Sequence, residues 1–428
     1  MGAAACFAGA LPVRAYAQYV PGEFPVGVPG YDEELGVTVV SRLRPLYEQR
    51  GIRLGDFIVQ SSLDQSFGYN SNVLDLSGGR GSPVIETNPS LSVNSDWGRD
   101  ALGANVSVNN YRYLDTPEQN STDWTAALGG AYTIGRDNLT LSYAHLQLHE
   151  SPTSVGAPPT TTPIQFTVDD IRSSYRLRLG SLEITPNVDV SLFRYGTATI
   201  PGEPASQSFR DANEVRGGTS FRYALTDQGS LLFTVEGIES EFPHQQPGQP
   251  TLSSSSVLAM GGIDYQYDGI WRYQFLIGAE ARYFASSQFK TQVAPIARAA
   301  LIWTPTETTT VTATLLRTIE DPDQISSGYT YTTAALRVDH EYLRNVLLNA
   351  QVGIDRAAYL QNGGTQTAYT AGAGVTWLIN RRMSLTTQYT YTTQSSPVTR
   401  TSTSSLPGAF GTAGGSQHVL LVTMHFGL

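Results

Sequence analysis

Trp271-Arg-Tyr-Gln-Phe-Leu-Ile-Gly-Ala-Glu-Ala-Arg-Tyr283 is the stretch whose reading decides the fold. Its alternate residues form two sets: Trp271, Tyr273, Phe275, Ile277, Ala279, Ala281 and Tyr283, against Arg272, Gln274, Leu276, Gly278, Glu280 and Arg282. In a β-strand these sets project from opposite faces. The first is apolar in the middle and aromatic at both ends, and the second carries the charges. Amphipathic rings favour the two lipid–water interfaces of a bilayer, whereas a soluble sheet has no reason to place Trp and Tyr at both ends of an apolar face. The stretch also exceeds the roughly 9–11 residues that a tilted strand needs to cross a membrane.

Composition points the same way. Charged residues are 15% of the 428, well below the roughly 25% of soluble proteins. Hydrophobic residues are nevertheless only 40%, with a mean hydropathy of −0.19. No run approaches the roughly 18 consecutive apolar residues of a helical span. Low charge without high hydropathy is what strands facing lipid on one side and water on the other give on average. A net charge of −10 and a pI near 5.1 argue against a nucleic-acid partner.

The N-terminus reads as a secretory signal over residues 1–17. Small and apolar residues run from Gly2 to Val13, and Ala15-Tyr16-Ala17 matches an A-x-A cleavage site before Gln18. No basic n-region precedes it, so the true start is expected upstream. The one cysteine, Cys6, leaves with this segment, which suits an oxidising exterior; a lipidated Cys6 is the weaker reading. Residues 18–51 open with a Pro/Gly-rich stretch, too broken for regular structure, and are expected to form a periplasmic arm or plug.

From residue 52 to 428 the chain alternates, with no convincing helical period. We expect an all-β fold: a single transmembrane antiparallel up-and-down barrel of about eighteen strands, sixteen being the nearest alternative, from a first strand at 53–69 to a last at 416–428. Tight-turn sequences such as Gly98-Arg-Asp100, Gly135-Arg-Asp-Asn138, Thr226-Asp-Gln-Gly229, Asp268-Gly269 and Thr304-Pro-Thr-Glu307 alternate with longer Pro/Gly/Ser/Thr-rich connections such as 70–81, 150–164, 197–208, 243–252 and 396–415. Short periplasmic turns and long extracellular loops are the asymmetry of outer-membrane barrels, and an even strand count places both termini in the periplasm. The competing readings are a soluble sandwich and a propeller or β-helix array. No fixed-period motif supports the arrays, and a soluble sheet would carry more surface Lys and Glu.

Facing follows from alternation. Tyr267, Trp271, Tyr283 and Trp377 are expected at the membrane interfaces. The last strand offers Leu420, Val422, Met424, Phe426 and Leu428 to lipid, an ending that resembles the signal read by the barrel-assembly machinery. A charge on the lipid face costs about 2–4 kcal/mol at the midplane, so the lumen receives Arg172, Arg176 and Arg178; Asp189; Glu214, Arg216 and Arg222; Arg272, Glu280 and Arg282; Arg337, Asp339 and Glu341; and Asp355. The arginines around 172–178 and 216–222 are the expected constriction, with ordinary hydrated lumen charges as the plainer reading. Mixed sign suits a transverse field for polar solutes, or a salt-bridged and largely closed interior.

Enzyme signatures are poor, and no catalytic residue, cofactor or metal is expected. His145 and His149 have a chelating spacing only on a helix; on a strand they stand about 13 Å apart. Neither G-x-S-x-G, Walker A, G-x-G-x-x-G nor an EF-hand loop occurs.

The segment Val40-Ser-Arg-Leu-Arg-Pro-Leu-Tyr-Glu-Gln-Arg-Gly-Ile-Arg-Leu-Gly-Asp-Phe-Ile-Val59, followed by Ser62-Leu-Asp-Gln-Ser-Phe-Gly-Tyr-Asn-Ser-Asn72, resembles the start of the β-barrel porin type 2 family of outer-membrane proteins. The matching pattern is Arg44-Pro-x-Tyr47, Gly51-x-Arg53-x-Gly55-x-Phe57 and Gly68-Tyr69-x-x-Asn72. The resemblance implies a Gram-negative outer-membrane channel linked to exopolysaccharide export or surface assembly, with outer-membrane lipid, polysaccharide and export-complex proteins as partners. The alternative is a structural or interaction barrel that does not conduct, its lumen plugged and its loops or arm contacting other proteins.

Overall fold

The computed structural model describes residues 23–25, 27–31, 37–75, 79–155, 160–200, 203–246, 248–267, 269–320, 328–359, 364–395 and 414–428. The expected signal segment 1–17 with Cys6, the first residues of the arm, Asp268 of one expected turn and much of the last long connection lie outside them.

Alternating sequence becomes strand throughout. The first six strands are β1 (Phe57–Asn70), β2 (Ser82–Ser95), β3 (Ala101–Tyr113), β4 (Ser121–Ile134), β5 (Asp137–Glu150) and β6 (Ile164–Leu179). Then come β7 (Leu182–Tyr195), β8 (Ala212–Ala224), β9 (Gly229–Glu241), β10 (Ser254–Tyr267), β11 (Trp271–Phe284) and β12 (Gln292–Thr306). The last six are β13 (Thr309–Glu320), β14 (Tyr329–Leu343), β15 (Val346–Tyr359), β16 (Thr365–Asn380), β17 (Met383–Gln394) and β18 (Ser416–Gly427). Every strand pairs antiparallel with the next, and β18 pairs back onto β1 from Ser62↔Gly427 to Asn70↔Val419. The result is a closed barrel of 18 antiparallel strands. Closure leaves no open edge, so each spanning strand satisfies its backbone groups on both sides, the condition for irregularity-free passage through lipid.

Two local expectations are corrected. The first strand begins at Phe57 rather than 53, because Gly55, with φ +61°, reverses the chain and lays Ile52–Leu54 antiparallel on Phe57–Val59. That short strand covers the part of β1 that lies beyond the end of β18. The expected turn Thr304-Pro-Thr-Glu307 also starts later: β12 runs through Pro305 to Thr306, with the register slipping between Trp303 and Thr306. Proline has no N–H for the ladder, and the slip accommodates it.

The two faces separate as alternation requires. On β11, Ile277 is 56% exposed while Glu280 is 1% exposed. The exposed set includes Val257, Ile263, Phe275, Val352, Val375, Leu420 and Val422, a band that only lipid would cover. Tyr267, Trp271 and Trp377 are exposed at the turn ends of their strands, and Trp271 stacks on Trp303 at 5.1 Å. Tyr283 and Tyr369 are exposed at the loop ends. Inside, at the loop end of β5–β8, a buried apolar cluster includes Leu146, Leu148, Ile164, Phe166, Val168 and Phe193.

Candidate functional site

The inward face of β6–β9 carries a ladder of alternating charge. Register sets Arg172 opposite Asp189, and Asp189 opposite Arg216. Arg216 reaches Glu214 at 3.1 Å and Glu236 at 3.7 Å. Arg172 Nε donates to Asp170 Oδ1 at 2.9 Å, and Arg222 pairs with Asp264 of β10 at 2.7 Å. Adjacent strands lie about 4.8 Å apart, so residues in register face one another at ion-pair range. Because both signs recur side by side along this wall, neighbouring charges largely compensate one another.

The other charges expected inside also share this face, but not one environment. Arg176 and Arg178 lie at the turn end of β6, with Glu183 at 3.5 and 3.6 Å. Arg272 faces inward near the turn end of β11. Glu280 and Arg282 are sealed from solvent: Arg282 reaches Glu280 at 3.5 Å, Ser256 Oγ at 3.2 Å and the Ile319 carbonyl at 3.4 Å. They brace the wall and do not border an open path. Asp339 is likewise buried and held by Arg337 at 2.9 Å, and Asp355 accepts the Tyr331 hydroxyl at 2.8 Å.

Residues of the described arm segments 23–25, 27–31 and 37–51 contact this inward face. Phe24 and Tyr31 stack at 4.8 Å, and the Arg172 guanidinium lies 4.2 and 4.6 Å from their ring centroids. Such a contact is worth up to about 2 kcal/mol when water is excluded. The Tyr31 hydroxyl donates to Asp170 Oδ1 and to the Asp170 carbonyl, both at 3.1 Å. Burial, reinforced by the Asp170 charge, pushes the Tyr31 hydroxyl upward, so it stays a donor. Val28 is buried. Gly103 and Gly129 leave room on the wall for the chain at Pro29: a Cβ at Gly129 would run into the Pro29 carbonyl oxygen, and one at Gly103 into the proline ring.

Toward the turn side, the Val39 amide donates to Thr310 Oγ1 at 2.9 Å, and Val39 packs with Leu347 and Leu378. Arg42 and Arg44 both pair with Glu341, Arg44 at 3.0 Å. Gln49 Nε2 meets His425 Nε2 at 2.6 Å, and His425 Nδ1 lies 2.5 Å from Asp64 Oδ1 across the β18–β1 seam. Toward the loop side, Glu23 lies near Asp123, and its desolvation with that charge raises its carboxyl from 4.5 to about 7. The loop end of β7–β8 carries a hairpin, Thr197–Ile200 with Glu203–Ser206. Behind it Arg210 forms a two-pronged pair with Glu150 at 2.7 and 3.2 Å, beneath the Tyr195 ring at 4.3 Å.

His145 and His149 turn to different carboxylates, Asp169 at 2.8 Å and Asp123 at 2.6 Å. No group of three or more His, Cys, Asp or Glu able to hold a metal occurs among the described residues. Sequence reading reached Arg172 but not its partners Phe24, Tyr31 and Asp170 as one cluster, nor Arg42 and Arg44 on Glu341. It also passed over the inward apolar cluster, whose signal was present: Leu146, Leu148, Ile164, Phe166 and Val168 occupy the positions elsewhere given to charges.

A closed strand barrel with lipid-facing apolar residues, aromatic girdles and charges inside is a porin-like outer-membrane barrel. The sequence profile of the family described as Putative beta-barrel porin 2 matches residues 44–408, and the chain belongs to that family. A search of curated proteins finds no match. Among solved structures the chain is similar to OccK2 (OpdF) of Pseudomonas aeruginosa at 10% identity and a TM-score of 0.47, covering 88% of this chain and 98% of that one. It is similar to a BenF-like porin from Pseudomonas fluorescens at 11% identity and 0.46, covering 88% and 100%. The FrpB iron transporter from Neisseria meningitidis matches at 8% identity and 0.45, covering 86% and 81%.

Proposed function

We propose that this protein is a channel for hydrophilic solutes whose lumen is occupied by its own N-terminal arm, seated through its described segments 23–25, 27–31 and 37–51. The observation that carries the reading is the seat of Phe24 and Tyr31 on Arg172, at the β6 end of the charge ladder. Long loops then face the exterior of a Gram-negative cell, both termini are periplasmic, and the arm enters from the periplasm. A wall of mixed sign suits uncharged or zwitterionic polar solutes, saccharides above all. Export of exopolysaccharide is what the family resemblance implies, with periplasmic export proteins as the partners that would draw the arm out. The terminal alternation of β18 fits recognition by the barrel-assembly machinery.

A second reading, a structural barrel that does not conduct, draws support from the apolar cluster and the buried Arg210–Glu150 pair at the loop end. Liposome swelling separates the two. Vesicles holding the full chain should swell slowly in small neutral saccharides, and vesicles holding a chain lacking 18–50 should swell fast. Equal impermeability of both would favour the structural barrel. A deletion strain with normal extracellular polysaccharide would remove the export role while leaving the channel.

A further inference from the structure

The lipid-facing side of β13–β16 breaks the rule that outward residues are apolar. Arg317 follows Val311, Ala313 and Leu315 on the outward face of β13, and Arg356 follows Val352 and Ile354 on that of β15. Register sets Arg317 beside Thr332 of β14, and Thr332 beside Arg356. Two arginines thus flank one hydroxyl, their backbones about 10 Å apart across three strands. Arg317 Nη1 donates to Thr332 Oγ1 at 2.9 Å, toward Arg356, and its Nε to the Pro295 carbonyl of β12 at 3.0 Å, which holds this guanidinium against the wall between its two neighbouring strands. Neither arginine has a carboxylate partner among the described residues.

The level of the pair in the membrane is also defined. Tyr369, an exposed aromatic at the loop end, is in register with Ile354, and the next outward row is Arg356 with Thr367. Below lies an outward groove of about 400 Å³, lined by Leu336, Ala350, Val352, Ala371, Ala373 and Tyr389. The three alanines form its floor between bulkier walls. Four residues separate Val352 from Arg356, about 13 Å along the strand. An apolar trough within the lipid band and a cation pair at its upper edge, one above the other, have the layout of a single lipid.

We propose that this face binds a phosphorylated, acylated glycolipid of the outer leaflet, its phosphate held by Arg317 and Arg356 and one acyl chain lying in the groove. The choice of leaflet rests on the orientation proposed above, with the long loops outside. Arginine forks match phosphate oxygens in paired, charge-assisted hydrogen bonds. Thr332 and Thr367 add hydroxyls on either side of Arg356. Phosphate also neutralises two charges that otherwise meet the membrane edge without a counter-charge.

The probes are lipid A, dephosphorylated lipid A and phosphatidylglycerol, each added to the full-length protein in detergent and counted by native mass spectrometry. Wild-type protein should retain lipid A over both other lipids by about tenfold, the scale of one charge-assisted contact. An Arg317→Gln/Arg356→Gln variant should lose that preference, and an Ala371→Phe/Ala373→Phe variant should weaken all three lipids together. Both variants should keep the fast electrophoretic migration of an unheated, folded barrel, because the substituted side chains lie on the outward face and do not enter the lumen. Equal retention of the three lipids by wild type, or an unchanged preference in the arginine variant, would overturn the proposal. A protein that keeps the lipid preference while its counterpart lacking residues 18–50 passes no current would sink the channel reading alone.

Discussion

Arg172 shows how a lumen residue acquires a role that its own strand does not announce. Alternation places it inside, but its partners Phe24 and Tyr31 lie some 140 residues earlier in a Pro/Gly-rich stretch with no period to read. Gly129 is the complementary case, a missing side chain that lets the arm backbone touch the wall. Gly129→Val should therefore lift Pro29 from the wall, raise the rate at which protease cuts residues 23–51, and raise the vesicle swelling rate. A protease rate equal to wild type would show that the contact does not hold the arm. Glu23 adds a pH dependence. Its carboxyl titrates at 4.5 when ordinary and near 7 when seated, so seating takes up a proton between those values. Seating is strongest below about 4.5, weakens as pH rises to 7 and is flat above. Swelling rates should rise between pH 5 and pH 7 in the full chain, and Glu23→Gln should flatten that rise; an identical profile in both proteins would remove Glu23 from the account.

Strand faces were legible because lipid imposes a single rule on every outward residue, as the alternate residues of Trp271–Tyr283 show. Ile277→Arg should cost about 2–4 kcal/mol, the midplane penalty for a lipid-facing cation, measured by urea titration of the barrel in vesicles. A cost near zero would mean that Ile277 does not meet lipid. Connections were less legible, since nothing in sequence alone fixes which loop folds inward. Residues 207–211 do so through Arg210, which is 2% exposed and paired with Glu150 at 1%. Arg210→Ala would leave Glu150 buried without that cation, a loss of about 3–5 kcal/mol. The local outcome should be rapid proteolysis within 196–211, and an Arg210→Met/Glu150→Leu protein should recover much of the protection. Protection unchanged in Arg210→Ala would show that the pair does not anchor the loop.

The whole molecule combines a wall that periodicity predicts with a filling that it does not. Strand count and closure came from a rule repeated along the chain, β18 meeting β1 without an open edge. What occupies the lumen depends on contacts between residues far apart in sequence: Tyr31 with Asp170, Val39 with Thr310, and Arg42 and Arg44 with Glu341. Of the arginines expected at a constriction, Arg172 is the one that carries Phe24 and Tyr31 of the arm. The most direct test is single-channel recording of the barrel lacking residues 18–50, with a synthetic peptide of those residues then added to either side. Large, stable openings blocked by the peptide from the turn side alone are the predicted result. No openings in the shortened barrel, or openings equal to those of the full chain and indifferent to the peptide, would contradict it.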